Sequence, residues 1–112
     1  MKKIEAIIRE ENFEAVKQAL EEKSYFGMTV SEVSGRGRQK GISIQWRVGE
    51  YRIDLLPKLK LELVVMDEDV NGAIDAIVRT SRTGEIGDGK IFILPVEGVV
   101  RIRTGDMDEN AI

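Results

Sequence analysis

Neither cysteine nor histidine occurs anywhere in the 112 residues. Disulfides, Cys/His zinc sites, thiol catalysis and histidine-based triads are thereby excluded. No stretch approaches the roughly 20 apolar residues needed to span a bilayer as a helix. The opening Met1-Lys2-Lys3-Ile4 runs straight into a strand pattern and has no apolar signal-peptide core. A soluble, cytoplasmic protein without lipid insertion is expected. Charge of one sign is lacking too: 17 Lys and Arg stand against 20 Asp and Glu, a net charge of −3. The bulk field therefore favours neither nucleic acid nor an anionic membrane, and any anion site must come from local placement of cations. No paired carboxylates, nucleophile–base pair or metal-ligand cluster is evident, so an enzyme is not expected and no redox cofactor is called for.

What is present is ordinary in amount, with 42% hydrophobic and 33% charged residues, and specific in pattern. The length fits one domain, residues 1–112, able to bury roughly 65% of its unfolded surface. Lys3 to Arg9 reads as a strand with Ile4, Ala6 and Ile8 on one face. Asn12 is placed to cap a helix carrying Phe13, Val16, Ala19 and Leu20. Met28 to Ser34 reads as a second strand, and Lys58 to Val65 is the clearest strand of all. Its Leu59, Leu61, Leu63 and Val65 form one face; Lys58, Lys60, Glu62 and Val64 form the other. Asp67 is placed to cap a second helix, whose Val70, Ala73, Ile74, Ile77 and Val78 follow helical spacing. Ile91 to Val96 and Val99 to Thr104 read as two more strands before an acidic tail. Two successive βαβ-like halves predict an α+β, ferredoxin-like βαβ-βαβ sandwich. Helices would cover one sheet face, and the mixed face with Ile7, Val33 and Val64 would need a partner, so an oligomer is expected.

Four constellations stand out. Thr83-Gly84-Glu85-Ile86-Gly87-Asp88-Gly89-Lys90 concentrates three glycines and a lysine ahead of a strand. It reads either as a plain helix-to-strand turn or as a phosphate cradle whose amides converge on an anion. It is not a P-loop, because the spacing and the Ser or Thr after lysine are missing. Arg101-Ile102-Arg103, if extended, places two guanidiniums on one face about 7 Å apart. They suit a polyphosphate, or else they are charged residues guarding a solvated edge strand. Glu62 beside Val64 could receive a purine ring and its polar edge, or Glu62 could pair with a cation such as Lys90. Lastly, Gly37 to Leu55 interrupts an otherwise economical domain. Either it is an ordered hairpin with Trp46 and Tyr51 packing across it, or it is a basic, aromatic-tipped projection for recognising another protein.

Together these stretches resemble the PII signal-transduction proteins of the GlnB/GlnK type, over essentially the whole chain. Residues 83–92 resemble the family's B-loop signature (B-loop about 82–90). Gly37-Arg38-Gln39-Lys40-Gly41 resembles the base of its T-loop (about 36–56). Leu55-Leu56-Pro57-Lys58 and Val100-Arg101-Ile102-Arg103-Thr104-Gly105 fit as well, the latter within a C-terminal strand and tail of about 99–112. The resemblance implies a homotrimer with nucleotide sites between subunits, taking ATP or ADP. Gly87, Asp88, Gly89 and Lys90 would hold phosphates, and Arg101 and Arg103 would close on them from a neighbour. Gly37 and Arg38 would meet the nucleotide at the T-loop base, while Gly27, Met28, Thr29, Glu62 and Val64 would frame adenine. Mg²⁺ bound with ATP would meet Gln39, beside a 2-oxoglutarate site of Gln39, Lys40, Gly41, Lys58 and Gly87. Because Lys58 shares a strand face with Glu62 and Val64, one cleft would hold both ligands.

The implied output is the T-loop. Its expected target is an ammonium channel, entered by Arg47, which would bring the protein to the membrane periphery. Regulation of glutamine synthetase or nitrogenase is the alternative within the family, and a ferredoxin-like nucleotide-hydrolysing enzyme the alternative outside it. Trp46-Arg47-Val48-Gly49-Glu50-Tyr51 departs from the usual Tyr-Arg-Gly-Ala-Glu-Tyr, which bears on modification at Tyr51. Arg9-Glu10 replaces the commoner Lys-Pro, with an expected effect on the helix entry alone.

Overall fold

Alternate residues of Lys2–Ile8 (β1) are apolar, and Ile4, Ala6 and Ile8 are fully enclosed. Successive strand side chains project to opposite faces, so this period places every second residue in a core. Leu56–Val65 (β5) repeats the device with Leu61, Leu63 and Val65. Thr29–Gly35 (β2) and Gly89–Pro95 (β6) complete a four-stranded sheet ordered β2-β5-β1-β6, with every neighbouring pair antiparallel. Two helices, Phe13–Glu22 (α1) and Val70–Ser81 (α2), bury Val16, Ala19 and Leu20, and Ala73, Ala76 and Ile77. Ile42–Trp46 (β3) and Gly49–Ile53 (β4) form a separate antiparallel pair. The computed structural model describes residues 1–36 and 55–112 with their side chains, and residues 42–46 and 49–53 as backbone.

This is the ferredoxin-like βαβ-βαβ arrangement. β1 and β2 run parallel with β5 between them, and β5 and β6 run parallel with β1 between them. The two halves are chemically equivalent as well. The core consists of Ile4, Ala6, Ile8, Val16, Ala19 and Leu20, and then Leu61, Leu63, Val65, Ala73, Ala76 and Ile77. Each residue of the second set follows its counterpart by the same number of positions, so the core is one strand–helix pattern used twice.

Local predictions fail where a side chain finds a better partner. Asn12 stands at the N-cap position of α1, but its side chain makes no capping hydrogen bond. It closes a short 3-10 turn, Glu10–Asn12, and its amide donates to the Ser81 carbonyl at 3.3 Å, tying the two helices together. Nor does Asp67 cap α2. It opens the 3-10 turn Asp67–Asp69, and its carboxylate pairs with the Met1 amino group at 3.0 Å. The expected strand from Val99 to Thr104 is absent. Gly105 adopts φ +74° and donates to the Arg101 carbonyl at 2.8 Å, folding the chain back so that only a single bridge forms, between Val100 and Met107. A left-handed glycine beside Thr104 outweighs the strand propensity of the Val and Ile residues before it. A short 3-10 turn, Asp108–Ala111, follows. In the hairpin, Trp46 lies opposite Gly49, and Tyr51 opposite Ile44, one step apart rather than directly across.

Gly89, the first residue of β6, has φ +111° and lies so close to β1 that a Cβ would stand 1.7 Å from the Ile7 carbonyl oxygen. Gly84, at φ +90°, has open space where a Cβ would go. Gly89→Ala should therefore cost roughly 2–4 kcal/mol from strain and overlap together, against about 1–2 for the strain alone in Gly84→Ala. Chemical denaturation at one fixed protein concentration measures both. Equal losses would show that the approach to Ile7 is unimportant.

Candidate functional site

The glycine loop joins α2 to β6 and is organised around one carboxylate. Asp88 accepts hydrogen bonds from the Thr83 hydroxyl, from the Thr83 amide at 2.7 Å and from the Gly84 amide at 2.9 Å. Arg9 Nε lies 3.3 Å away. These donors, led by the Thr83 hydroxyl, hold the Asp88 carboxyl far below the usual carboxylate range. Part of the expected amide cradle is thus occupied from within the chain. Ile86 and Gly87 donate their amides to no partner among the described residues.

Two cations grip the outer side of the same loop. Arg9 Nη2 donates to the Ile86 carbonyl at 2.9 Å, and Lys58 Nζ to the Gly87 carbonyl at 2.7 Å. Lys58 is buried, and burial together with the neighbouring Arg9 charge lowers its pKa. Arg9 therefore does more than adjust the helix entry. Its reach to the loop follows from the register, which pairs Ile8 with Gly89. Only the β1–β6 pairing could have revealed that. The side chain of Lys90, in register with Ile7, makes no ion pair or hydrogen bond among the described residues. A mainly apolar groove of about 370 Å³ adjoins the loop, lined by Ile74, Val78, Ile91 and Ile93 with Ser81 and Arg82.

A second cavity, of about 830 Å³, opens at the other end of the central strands. Gly27, Met28, Thr29, Glu62 and Val64 all line it, joined by Tyr25, Phe26, Lys3 and the C-terminal Ile112. The pairing of Thr29 with Glu62 fixes the two walls relative to each other. Glu62 does not pair with Lys90. It is held at 3.1 Å by Lys60 and at 3.7 Å by Lys3, and the same two lysines contact Glu5 at 3.9 and 3.1 Å. The Lys60 hydrogen bond, foremost, depresses the Glu62 pKa.

Lys58 shares the alternating set with Glu62 and Val64 but does not line this cleft; four positions along β5, it serves the glycine loop. Within one chain the loop and the cleft lie at opposite ends of the central strands. Arg101 pairs with Asp106 at 3.6 Å, while Arg103 is exposed and makes no contact of this kind among the described residues. Since residues 102–104 form a turn, the period-two argument that set both guanidiniums on one face does not apply. Gly37, Arg38, Gln39, Lys40, Gly41 and Arg47 lie outside the described residues, as does the side chain of Tyr51. No group of three or more acidic residues able to hold a metal occurs among the described residues, and no described helix is long and apolar enough to cross a membrane.

The family model for nitrogen regulatory protein P-II matches residues 1–106. Nitrogen regulatory protein P-II 2 of Methanothermobacter thermautotrophicus is 58% identical over 112 residues, covering 100% of this chain and 97% of the relative. Nitrogen regulatory protein P-II of Pasteurella multocida is 54% identical, and P-II 1 of Escherichia coli K12 is 53% identical, each with both chains covered in full.

The depressed Asp88 carboxyl has a sign that can be tested. Its stabilising bonds are present above the unfolded aspartate pKa of about 3.9 and are lost as pH falls through its lower folded value. The gap in denaturation midpoint between the parent and Asp88→Asn should be widest above pH 5 and shrink in acid. The Thr83 and Gly84 amides should exchange hydrogen faster in the variant. A gap independent of pH would refute the ionic role.

Proposed function

Because this chain belongs to the nitrogen regulatory P-II family, we propose that it reports nitrogen and energy status by binding ATP or ADP between subunits of a homotrimer. P-II relatives carry the names of regulatory proteins rather than enzymes. The observation that carries the proposal is the separation of two half-sites. The cleft of Gly27, Met28, Thr29, Glu62 and Val64 has room and apolar lining for a purine. The loop of Gly87, Asp88, Gly89 and Lys90 offers phosphates the Gly87 amide and a lysine side chain, neither with a partner among the described residues. One chain holds them at opposite ends of its central strands, so a neighbouring subunit is the economical way to bring base and phosphate ends together. Arg101 and Arg103, on the turn near the cleft's Val99, would then reach the phosphates of that shared site.

The open sheet face supports the homotrimer. Ile7, Val33 and Val64 are half-buried there with no covering layer among the described residues, and Phe92 and Leu94 are exposed. With Mg²⁺ and ATP bound, 2-oxoglutarate would join beside the loop. Mg²⁺ prefers oxygen donors, which the Gln39 side-chain carbonyl can supply. A dianionic acid beside a triphosphate repels it unless a cation lies between them, which gives a reason for coupling to ATP rather than ADP. Lys58 would have to exchange the Gly87 carbonyl for a carboxylate, so ligand arrival and loop shape are linked. The adjoining T-loop, with Gly37, Arg38, Lys40 and Gly41 at its base, would carry that change to a target, and an ammonium channel is the target we propose.

Calorimetric titration checks the coupling. 2-Oxoglutarate should bind in the presence of Mg-ATP and not with ADP or without nucleotide; binding that ignores nucleotide would overturn the mechanism. For the target, Arg47→Ala should abolish co-sedimentation with channel-containing membranes while ATP affinity stays unchanged. Undiminished co-sedimentation would remove Arg47 from the contact.

A further inference from the structure

Phe26 is 69% exposed, stands outside the buried core and lies on the wall of the 830 Å³ cleft. An aromatic ring left in water gives up the burial that usually justifies it. Its position is nevertheless well determined. On one side the Tyr25 amide donates to the Leu20 carbonyl at 2.9 Å, and the Tyr25 hydroxyl donates to the Asp69 carboxylate at 3.3 Å. On the other side, Thr29 is locked to Glu62 in the sheet. Gly27 follows directly, and a Cβ built there meets nothing within 4 Å, so the wall next to Phe26 is open at that point. Met28, Val64 and Ile112 supply apolar surface in the same cleft.

We propose that Phe26 stacks on the purine ring of the bound nucleotide and sets base affinity in this chain. The inference rests on the nucleotide reading above and adds to it a residue outside the expected binding set. A flat π-face needs a flat partner, and a nucleobase offers one whatever its edge pattern. The tether at Tyr25 and the sheet at Thr29 fix the segment before the ligand arrives, which lowers the ordering cost of binding. Specificity for one base would come from the polar edge at Thr29 and Glu62, and strength from the ring.

The test compares ATP with inorganic triphosphate, which carries the phosphates without the base. Phe26→Ala should weaken ATP binding by roughly 5- to 30-fold and leave triphosphate binding unchanged. Phe26→Trp should restore ATP affinity and Phe26→Leu should not. Equal ATP affinity in Phe26→Ala and the parent overturns the proposal, as does full rescue by leucine, which would indicate a merely apolar contact. An equal loss for triphosphate, or a change of oligomeric state in sedimentation, assigns Phe26 to subunit packing instead and likewise overturns it. A parent protein that binds triphosphate but shows no gain for ATP rejects the stacking role alone. A parent that binds neither rejects the nucleotide reading and the stacking with it.

Discussion

The antiparallel pairing of β1 with β5, from Lys2↔Val65 to Ile8↔Leu59, is the constraint from which the other features follow. It aligns Ile4 with Leu63 and Ala6 with Leu61 on the helix-covered face. By the same register it brings Glu5 opposite Glu62, two like charges that would destabilise the sheet if left alone. Lys3 and Lys60 resolve the conflict, each contacting both carboxylates. The uncovered face is therefore neither a second core nor an ordinary polar surface. It is a neutralised centre with apolar margins at Val64, Phe92 and Leu94.

The glycine loop reaches its shape by a different economy. Its internal anion, Asp88, takes the first amides of the turn, and two cations, Lys58 of β5 and Arg9 just after β1, hold its carbonyls. A turn formed this way is largely organised by the chain's own groups, and any ligand meeting it need not supply the ordering cost. Arg9 and Lys58 also place two positive charges side by side at the loop. Their mutual repulsion appears in the lowered pKa of Lys58, after the larger effect of burial. An incoming carboxylate would relieve that repulsion.

Much of this was legible in the sequence, and the reasons are specific. Leu61, Leu63 and Val65 in β5, and Val16, Ala19 and Leu20 in α1, announced strand and helix because periodic burial leaves a periodic pattern. The glycine loop, and Glu62 beside Val64, could be picked out because their residue types are unusual for their places, whereas Gly27, Met28 and Thr29 were reached through the family resemblance alone. What stayed hidden depends on pairing between distant segments. Nothing in Arg9 itself points to Asp88, 79 positions away. Asn12 and Asp67 have the right chemistry for caps, and each spends it on a tertiary partner that local rules do not see. The guess of Lys90 for Glu62 failed because Lys60, two places along the same strand face, and Lys3, on the adjacent strand, are nearer. The strand expected at Val99 failed to a turn at Thr104 and Gly105, where local chemistry outweighed pattern.

The last rung of the β2–β5 ladder joins Gly35 to Leu56. The β3–β4 hairpin, which belongs to a separate sheet, lies between these two residues in the chain, and the pairing of Gly35 with Leu56 holds the ends of the segment together. Doubling the length of such a segment adds only about 0.6 kcal/mol of closure entropy. Gly35 and Leu56 are thus held as partners whatever the length of the segment that joins them, and a longer or shorter excursion would still start and finish at the same rung.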